Sequence, residues 1–135
     1  MSDYLTFSHI GIATGNIERT SSFYSKMGYS ASEVVFDPMQ NVNICFLRKD
    51  GEPEIELLAP VDEKSPVTRI IAANGVTPYH ICYEVKDIDK AIKDLKSEKF
   101  IVVSKPVPAC AMNNERVAFL FNKDVGLIEL VENKY

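Results

Sequence analysis

The sequence predicts an α+β fold built from two copies of a βαβββ module, and three observations lead to this prediction. An internal repeat places the chain's two histidines, His9 and His80, at the same position of two similar segments. Within each copy, a β-rich apolar run precedes a segment with helical periodicity. Three further β-rich runs complete each copy. Two such modules would form a curved mixed sheet, with the helices packed on its convex side.

The repeat is defined by matching segments at nearly constant spacing. The segment FSHIGIA around His9 matches PYHICYE around His80, an offset of 80 − 9 = 71 residues. The segment IELL at Glu56 matches IELV at Glu129, an offset of 129 − 56 = 73 residues. Because the offset grows by two, we expect the second copy to contain two extra loop residues. Self-similarity of this kind indicates a duplicated structural unit.

In the first copy, residues 5–13 read as a strand, and Asn16 can cap a following helix. Ile17, Tyr24 and Met27 would share one face of that helix, and Gly28 would end it. Three strands are expected next, at about 30–36, 42–48 and 53–59.

The second copy shows the same pattern more clearly. Asp87 can cap a helix with an apolar stripe at Ile88, Ala91, Ile92 and Leu95, at the spacing i, i+3, i+4, i+7. Its three closing strands are expected at about 100–104, 116–121 and 126–132. We therefore predict one domain over residues 1–135, with module one at about 5–59, a Pro- and Gly-containing linker at 60–77, and module two at about 78–132.

Composition excludes several classes of protein. The 135 residues include 15 basic and 19 acidic side chains without a basic stripe, which argues against nucleic acid as a partner. A signal peptide and a membrane-spanning run are both absent from the sequence pattern, so we expect a soluble cytoplasmic protein. Cys45, Cys82 and Cys110 are odd in number and have no Cys-x-x-Cys spacing, so we expect reduced thiols.

Strand alternation places the repeated polar residues on one face. In the first strand, His9 shares its parity with Gly11 and Ala13, whereas Ile10 and Ile12 point to the opposite face, where the helix would pack. The same parity groups His80 with Cys82 and Glu84. Glu56 and Glu129 are each flanked by apolar residues that would take the helix side. All four polar residues should therefore face away from the helices.

A single buried histidine or a single strand glutamate is usually structural, but the four together have another explanation. Two histidines and two glutamates in duplicated positions supply two imidazole nitrogens and two carboxylates. We therefore predict one divalent metal ion bound by His9, Glu56, His80 and Glu129. Cobalt, nickel, zinc or manganese would suit this donor set.

Several segments resemble a known family. HIGIA, EIELLAP, SPVTRII, HICYEVKDID and GLIELVE, spread over residues 7–132, resemble the vicinal oxygen chelate (glyoxalase/bleomycin resistance/dioxygenase) superfamily and, within it, the methylmalonyl-CoA epimerases. The resemblance implies a glyoxalase-like half-barrel, the same four metal ligands, an acyl-CoA thioester substrate and a homodimer. It also implies an isomerase that removes a proton α to a metal-chelated carbonyl, with Glu129 as the catalytic base.

Two alternatives stay open. Glyoxalase I, a lactoylglutathione lyase, resembles this chain in using His, Glu, His and Glu, but the positions of its glutathione-binding arginine and asparagine are Ala13 and Pro60 here. A non-catalytic ligand-binding member of the superfamily is the second alternative. Ile44 occupies the position where some epimerases have a second glutamate, which leaves the second acid/base unidentified.

The loop at 111–116 also departs from the epimerase pattern, which has a glycine-rich turn there. The sequence therefore leaves open whether coenzyme A binds. Arg116, Lys105 and Lys123 are candidates for contacts with its phosphates.

Overall fold

The computed structural model describes residues 5–133 and confirms the α+β fold class with a mixed sheet. Within these residues the chain forms three α-helices, which are α1 (Ile17–Lys26), α2 (Thr68–Asn74) and α3 (Ile88–Ser97). The nine strands are β1 (Thr6–Ala13), β2 (Ser30–Ala31), β3 (Val35–Asp37), β4 (Val42–Arg48), β5 (Glu54–Pro60), β6 (Thr77–Val85), β7 (Ile101–Ala109), β8 (Glu115–Asn122) and β9 (Gly126–Glu132).

The strand order reflects the duplication. The order in the sheet is β2-β4-β5-β1-β6-β9-β8-β7, and β3 pairs with β4 beside β2. In each copy the strand that carries the histidine runs parallel to the last strand of that copy, as β1 with β5 and β6 with β9. The hairpins β4–β5 and β8–β9 are antiparallel. Both copies therefore build the βαβββ arrangement that the repeat predicts, with the strand after the helix divided into β2 and β3 in the first copy.

The described chain forms two compact units. One consists of His9–Tyr79, and the other combines residues 5–8 with residues 80–133. Residues 5–8 thus belong to the unit that contains the second copy. Phe7 shows this contact directly, since its ring meets that of Tyr83 edge to face at a centroid distance of 6.2 Å.

In the unit of His9–Tyr79, helix α1 packs on one face of the strands. The side chain of Asn16 accepts a hydrogen bond from the Arg19 N–H at 2.9 Å, which confirms the predicted cap. The core is made by Ile17 of the helix together with the helix-facing strand residues Ile12, Cys45, Leu47, Ile55, Leu57 and Ala59. The alternation predicted for β1 and β5 therefore holds here.

In the other unit, helix α3 buries the predicted stripe. Asp87 caps it by accepting the Lys90 N–H at 3.0 Å. Ile88, Ala91 and Leu95 are buried against the helix-facing strand residues Val85, Ala118, Leu120, Ile128 and Leu130. A separate apolar cluster on the opposite face contains Cys82, Ala109, Val117 and Val131. Cys82 is thus a packing residue of the face that carries Glu129.

Two strands differ from the sequence expectation. The run at 30–36 is split into β2 and β3, because Ser32 lies between them and its hydroxyl accepts the Phe46 N–H at 2.8 Å. Strand β7 extends to Ala109 in spite of Pro106 and Pro108, because it is the outermost strand of its side of the sheet, where a missing N–H costs least. Among the described residues, no helix has the length and apolar character needed to cross a membrane.

Candidate metal centre

The first histidine forms a buried pair with the first repeated glutamate. Gly11 of β1 lies beside Glu56 of β5 in the parallel register, so His9, two residues earlier, projects on the same face as Glu56. The His9 Nε2 and Glu56 Oε1 atoms are 3.3 Å apart, and both side chains are about 1% exposed. The unit of His9–Tyr79 therefore contains one imidazole and one carboxylate in contact in its interior.

The second pair repeats this arrangement in the other unit. Cys82 of β6 lies beside Glu129 of β9, and His80 is again two residues earlier on the same face. His80 Nε2 and Glu129 Oε1 are 3.1 Å apart, and both side chains are fully buried. The duplication thus reproduces strand direction, register and burial, as well as residue type.

A buried carboxylate needs positive charge or strong hydrogen bonding to offset its lost hydration. A neighbouring imidazolium can supply it, and so can a metal ion bound by both groups. Metal–nitrogen and metal–oxygen bonds of about 2.1 Å place two ligand atoms about 3.0 Å apart at a right angle and about 3.4 Å apart at a tetrahedral angle. The His–Glu separations of 3.3 Å and 3.1 Å lie within this range.

The chemistry of the donors also fits a divalent ion. Each of the four side chains offers one ligand atom, an imidazole nitrogen or a carboxylate oxygen, and all four are buried. Mixed nitrogen and oxygen sets of this kind suit zinc, cobalt, nickel and manganese. The chain therefore contains a histidine and glutamate group that could bind a metal ion.

Comparison with known proteins identifies the family. The model of the Glyoxalase/Bleomycin resistance protein/Dioxygenase superfamily matches residues 8–119. The chain belongs to this superfamily. It is 35% identical over 127 residues to the mitochondrial methylmalonyl-CoA epimerase of Mus musculus, a match that covers 91% of this chain and 70% of that protein.

Similarity to solved structures supports the same family. The chain is similar to methylmalonyl-CoA epimerase from Mycobacterium tuberculosis, with a TM-score of 0.84 and 26% identity over 94% of this chain and 87% of that one. It is also similar to a variant of the Streptomyces coelicolor methylmalonyl-CoA epimerase in complex with 2-nitronate-propionyl-CoA. That match has a TM-score of 0.83 and 28% identity over 98% of this chain and all of the other.

Three positions singled out in the sequence, Ile44, Ala13 and Pro60, are buried or lie at the ends of strands. Ile44, which stands where some epimerases have a glutamate, is 1% exposed and pairs with Leu58 across the β4–β5 hairpin. Ala13 is fully buried at the end of β1, and Pro60 ends β5. None of these three positions offers a charge or a proton donor.

Arg116, a candidate contact for coenzyme A phosphates, is engaged within the protein. Its Nε donates to Glu132 Oε1 at 3.1 Å, and one terminal nitrogen donates to Glu132 Oε2 at 3.1 Å and to Asp89 at 3.0 Å. These contacts raise the pKa of Arg116 above its already high ordinary value, with the hydrogen bond to Glu132 as the largest cause. Its charge is therefore matched by two carboxylates.

The structure adds two residues that the sequence reasoning missed. Phe46 lies opposite Glu56 in the β4–β5 hairpin, and Phe119 lies opposite Glu129 in the β8–β9 hairpin. Their offset, 119 − 46 = 73, equals that of the two glutamates. This equality was available in the sequence, but a phenylalanine on a strand normally indicates only packing.

Proposed function

We propose that this protein is a metal-dependent epimerase acting on methylmalonyl-CoA or a closely related acyl-CoA thioester. The observation that carries the proposal is the duplicated buried pair, His9 with Glu56 and His80 with Glu129. The similarity to methylmalonyl-CoA epimerases over 91% of the chain supports the choice of substrate class.

The proposed metal centre uses all four side chains for one divalent ion, with cobalt, nickel, zinc and manganese as candidates. Each unit supplies one imidazole and one carboxylate from duplicated positions, which supports a shared centre. A divalent ion held there would act as a Lewis acid, polarising the substrate carbonyl and lowering the cost of removing the neighbouring proton.

Glu129 is the proposed catalytic base. Its carboxylate is fully buried beside His80, between the apolar side chains of the same face, Cys82 and Val131. It would take the α-proton from the substrate, and return of a proton to the opposite face would invert the carbon centre.

The second proton donor is not Ile44, because a hydrocarbon side chain cannot transfer a proton. The proton that completes inversion must come from another group or from water that enters the site. A ligand-binding protein without turnover would need no such donor, and a lactoylglutathione lyase would return the proton to the neighbouring carbon. Solvent exchange at the α-carbon separates the epimerase from the ligand-binding protein.

The test of the function is exchange of the α-proton of methylmalonyl-CoA in deuterated water. Protein with metal should catalyse incorporation of deuterium, followed by mass spectrometry or proton NMR. Glu129→Gln should lower the exchange rate by about 10²–10⁴-fold with the metal retained. Glu63→Gln is the matched control, since it makes the same substitution at an exposed glutamate outside the proposed metal centre and should retain exchange.

Two outcomes would contradict the proposal. Affinity for the thioester without exchange would identify a binding protein, and undiminished exchange in Glu129→Gln would remove Glu129 from the role of base.

We also propose that the protein works as a homodimer in the cytoplasm, as its sequence resemblance and composition predict. Light scattering coupled to gel filtration would give the mass of the assembly. A mass near 15.1 kDa, that of one chain, would contradict the dimer.

A further inference from the structure

Each histidine of the proposed centre rests against a phenylalanine of its own unit. The rings of His9 and Phe46 are 5.6 Å apart with an interplanar angle of 80°. Those of His80 and Phe119 are 5.3 Å apart with an angle of 89°. Both contacts have the edge-to-face geometry that aromatic rings favour.

The two phenylalanines are placed by the same register as the glutamates. Phe46 is the cross-strand partner of Glu56, and Phe119 is the cross-strand partner of Glu129. Each phenyl ring therefore lies beside the carboxylate-bearing strand position and against the imidazole that contacts this carboxylate. The two units thus share a triad of histidine, glutamate and phenylalanine.

A contact between one imidazole nitrogen and a carboxylate oxygen fixes only one atom of the histidine ring, so the orientation of the ring plane also depends on what packs against it. A phenyl ring packed at nearly a right angle restricts this rotation. For a metal ligand this restriction matters, because the nitrogen lone pair lies in the ring plane and must point at the ion. Groups that orient a ligating histidine usually do so by hydrogen bonding.

We infer that Phe46 and Phe119 are positioning residues that hold the imidazoles of His9 and His80 in the orientation required to bind the divalent ion. The inference rests on the proposed metal centre and adds to it a pair of apolar residues that never touch the ion. Phe119 gives the cleaner test, because the ring of Phe46 also lies 5.5 Å from the Arg48 guanidinium.

The first measurement needs no metal. Since the chain has two histidines, the carbon-bound imidazole protons give two sets of NMR signals, which His9→Ala and His80→Ala would assign. The ring current of Phe119 should displace the signals of His80. In metal-free Phe119→Leu the His80 signals should move toward ordinary values while those of His9 stay unchanged.

The second measurement is the affinity for zinc or cobalt, obtained by competition with a chelator. Phe119→Leu should weaken metal binding about tenfold, the lower end of the range found for residues that orient metal ligands. Phe119→Tyr keeps the aromatic ring and should restore most of the affinity. Phe119→Met, whose unbranched side chain is more flexible and can fill the space left by the ring differently, provides the comparison if the leucine variant folds poorly.

Phe100→Leu is the matched control, since Phe100 packs against the helix-side core of the same unit. It should lower thermal stability while leaving the His80 signals and the metal affinity unchanged. Unchanged metal affinity in a folded Phe119→Leu protein would overturn the positioning role and leave the metal centre standing. Failure of the unmodified protein to bind metal would instead overturn the proposed centre, and the positioning role with it.

Discussion

Replacing Arg116 with methionine separates a structural role from a substrate-binding role for this arginine. The sequence makes Arg116 a candidate contact for coenzyme A phosphates, but the structure pairs it with Glu132 and Asp89. Glu132 also accepts the Ile88 N–H at 3.0 Å, at the beginning of α3. The ion pair of Arg116 and Glu132 therefore connects β8 and β9 with the first turn of α3.

The expected loss of folding free energy in Arg116→Met follows from the buried Glu132 carboxylate, which the substitution leaves without its arginine partner. Glu132 is 6% exposed and would lose its two hydrogen bonds from Arg116, keeping that from Ile88. Breaking a buried ion pair costs about 3–5 kcal/mol. Because the Arg116 side chain is 38% exposed, water screens part of the interaction, and we expect a loss of about 2 kcal/mol. For 135 residues this corresponds to a fall in Tm of about 7 °C.

Urea unfolding followed by circular dichroism measures this loss. Asp89→Asn is the control, because Asp89 is 71% exposed and its contact with Arg116 should contribute less than about 0.5 kcal/mol. The KM for methylmalonyl-CoA should be unchanged in Arg116→Met. If Arg116→Met kept full stability but had a strongly raised KM, the structural role would be refuted and Arg116 would instead be a substrate-binding residue.

Three further predictions concern acidity, metal and substrate. Burial, and to a smaller extent the charge of Glu84, raises the pKa of Glu115 above its usual value of 4.5. The folded state therefore binds the Glu115 proton more tightly than the unfolded chain does. As a result, the stability of the fold falls as the pH rises from 4.5 through the raised pKa. Glu115→Gln should flatten this part of a urea-unfolding pH profile; an unaltered profile would argue against it. If free metal is present at 100 times its Kd, removing it with a chelator should lower the free energy of unfolding by about 2.7 kcal/mol. Thermal melts with and without chelator would show this difference, and His80→Ala should not show it. Turnover of the methylglyoxal–glutathione hemithioacetal should be weak, because Ala13 and Pro60 provide no charged or amide side chain; efficient turnover without activity on methylmalonyl-CoA would favour the lyase.

The repeat and the strand parity predicted most of what positions the candidate site. Asn16 and Asp87 cap their helices as expected because a cap depends on residues within one turn. The faces of β1 and β5 follow from alternation, which any strand must obey. The sequence also indicated that His9 and Glu56 belong together although they are far apart in the chain, because both recur at matching positions of the second copy.

Features that depend on non-local contacts were not predictable from local patterns. The split of the run at 30–36 depends on Ser32 bonding to Phe46, fourteen residues later. The full length of β7 depends on its outermost place in the sheet, which determines whether Pro106 and Pro108 are tolerated. The engagement of Arg116 likewise depends on partners that only the tertiary fold brings to it.

The central claim is that the two histidine–glutamate pairs bind one metal ion together, and metal stoichiometry tests it most directly. Purified protein, loaded with zinc or cobalt and freed of excess metal, should contain one ion per chain by elemental analysis. His9→Ala and His80→Ala should each lose that whole ion, with circular dichroism confirming that both variants remain folded. Two ions per chain, or full occupancy retained in His80→Ala, would contradict the shared centre.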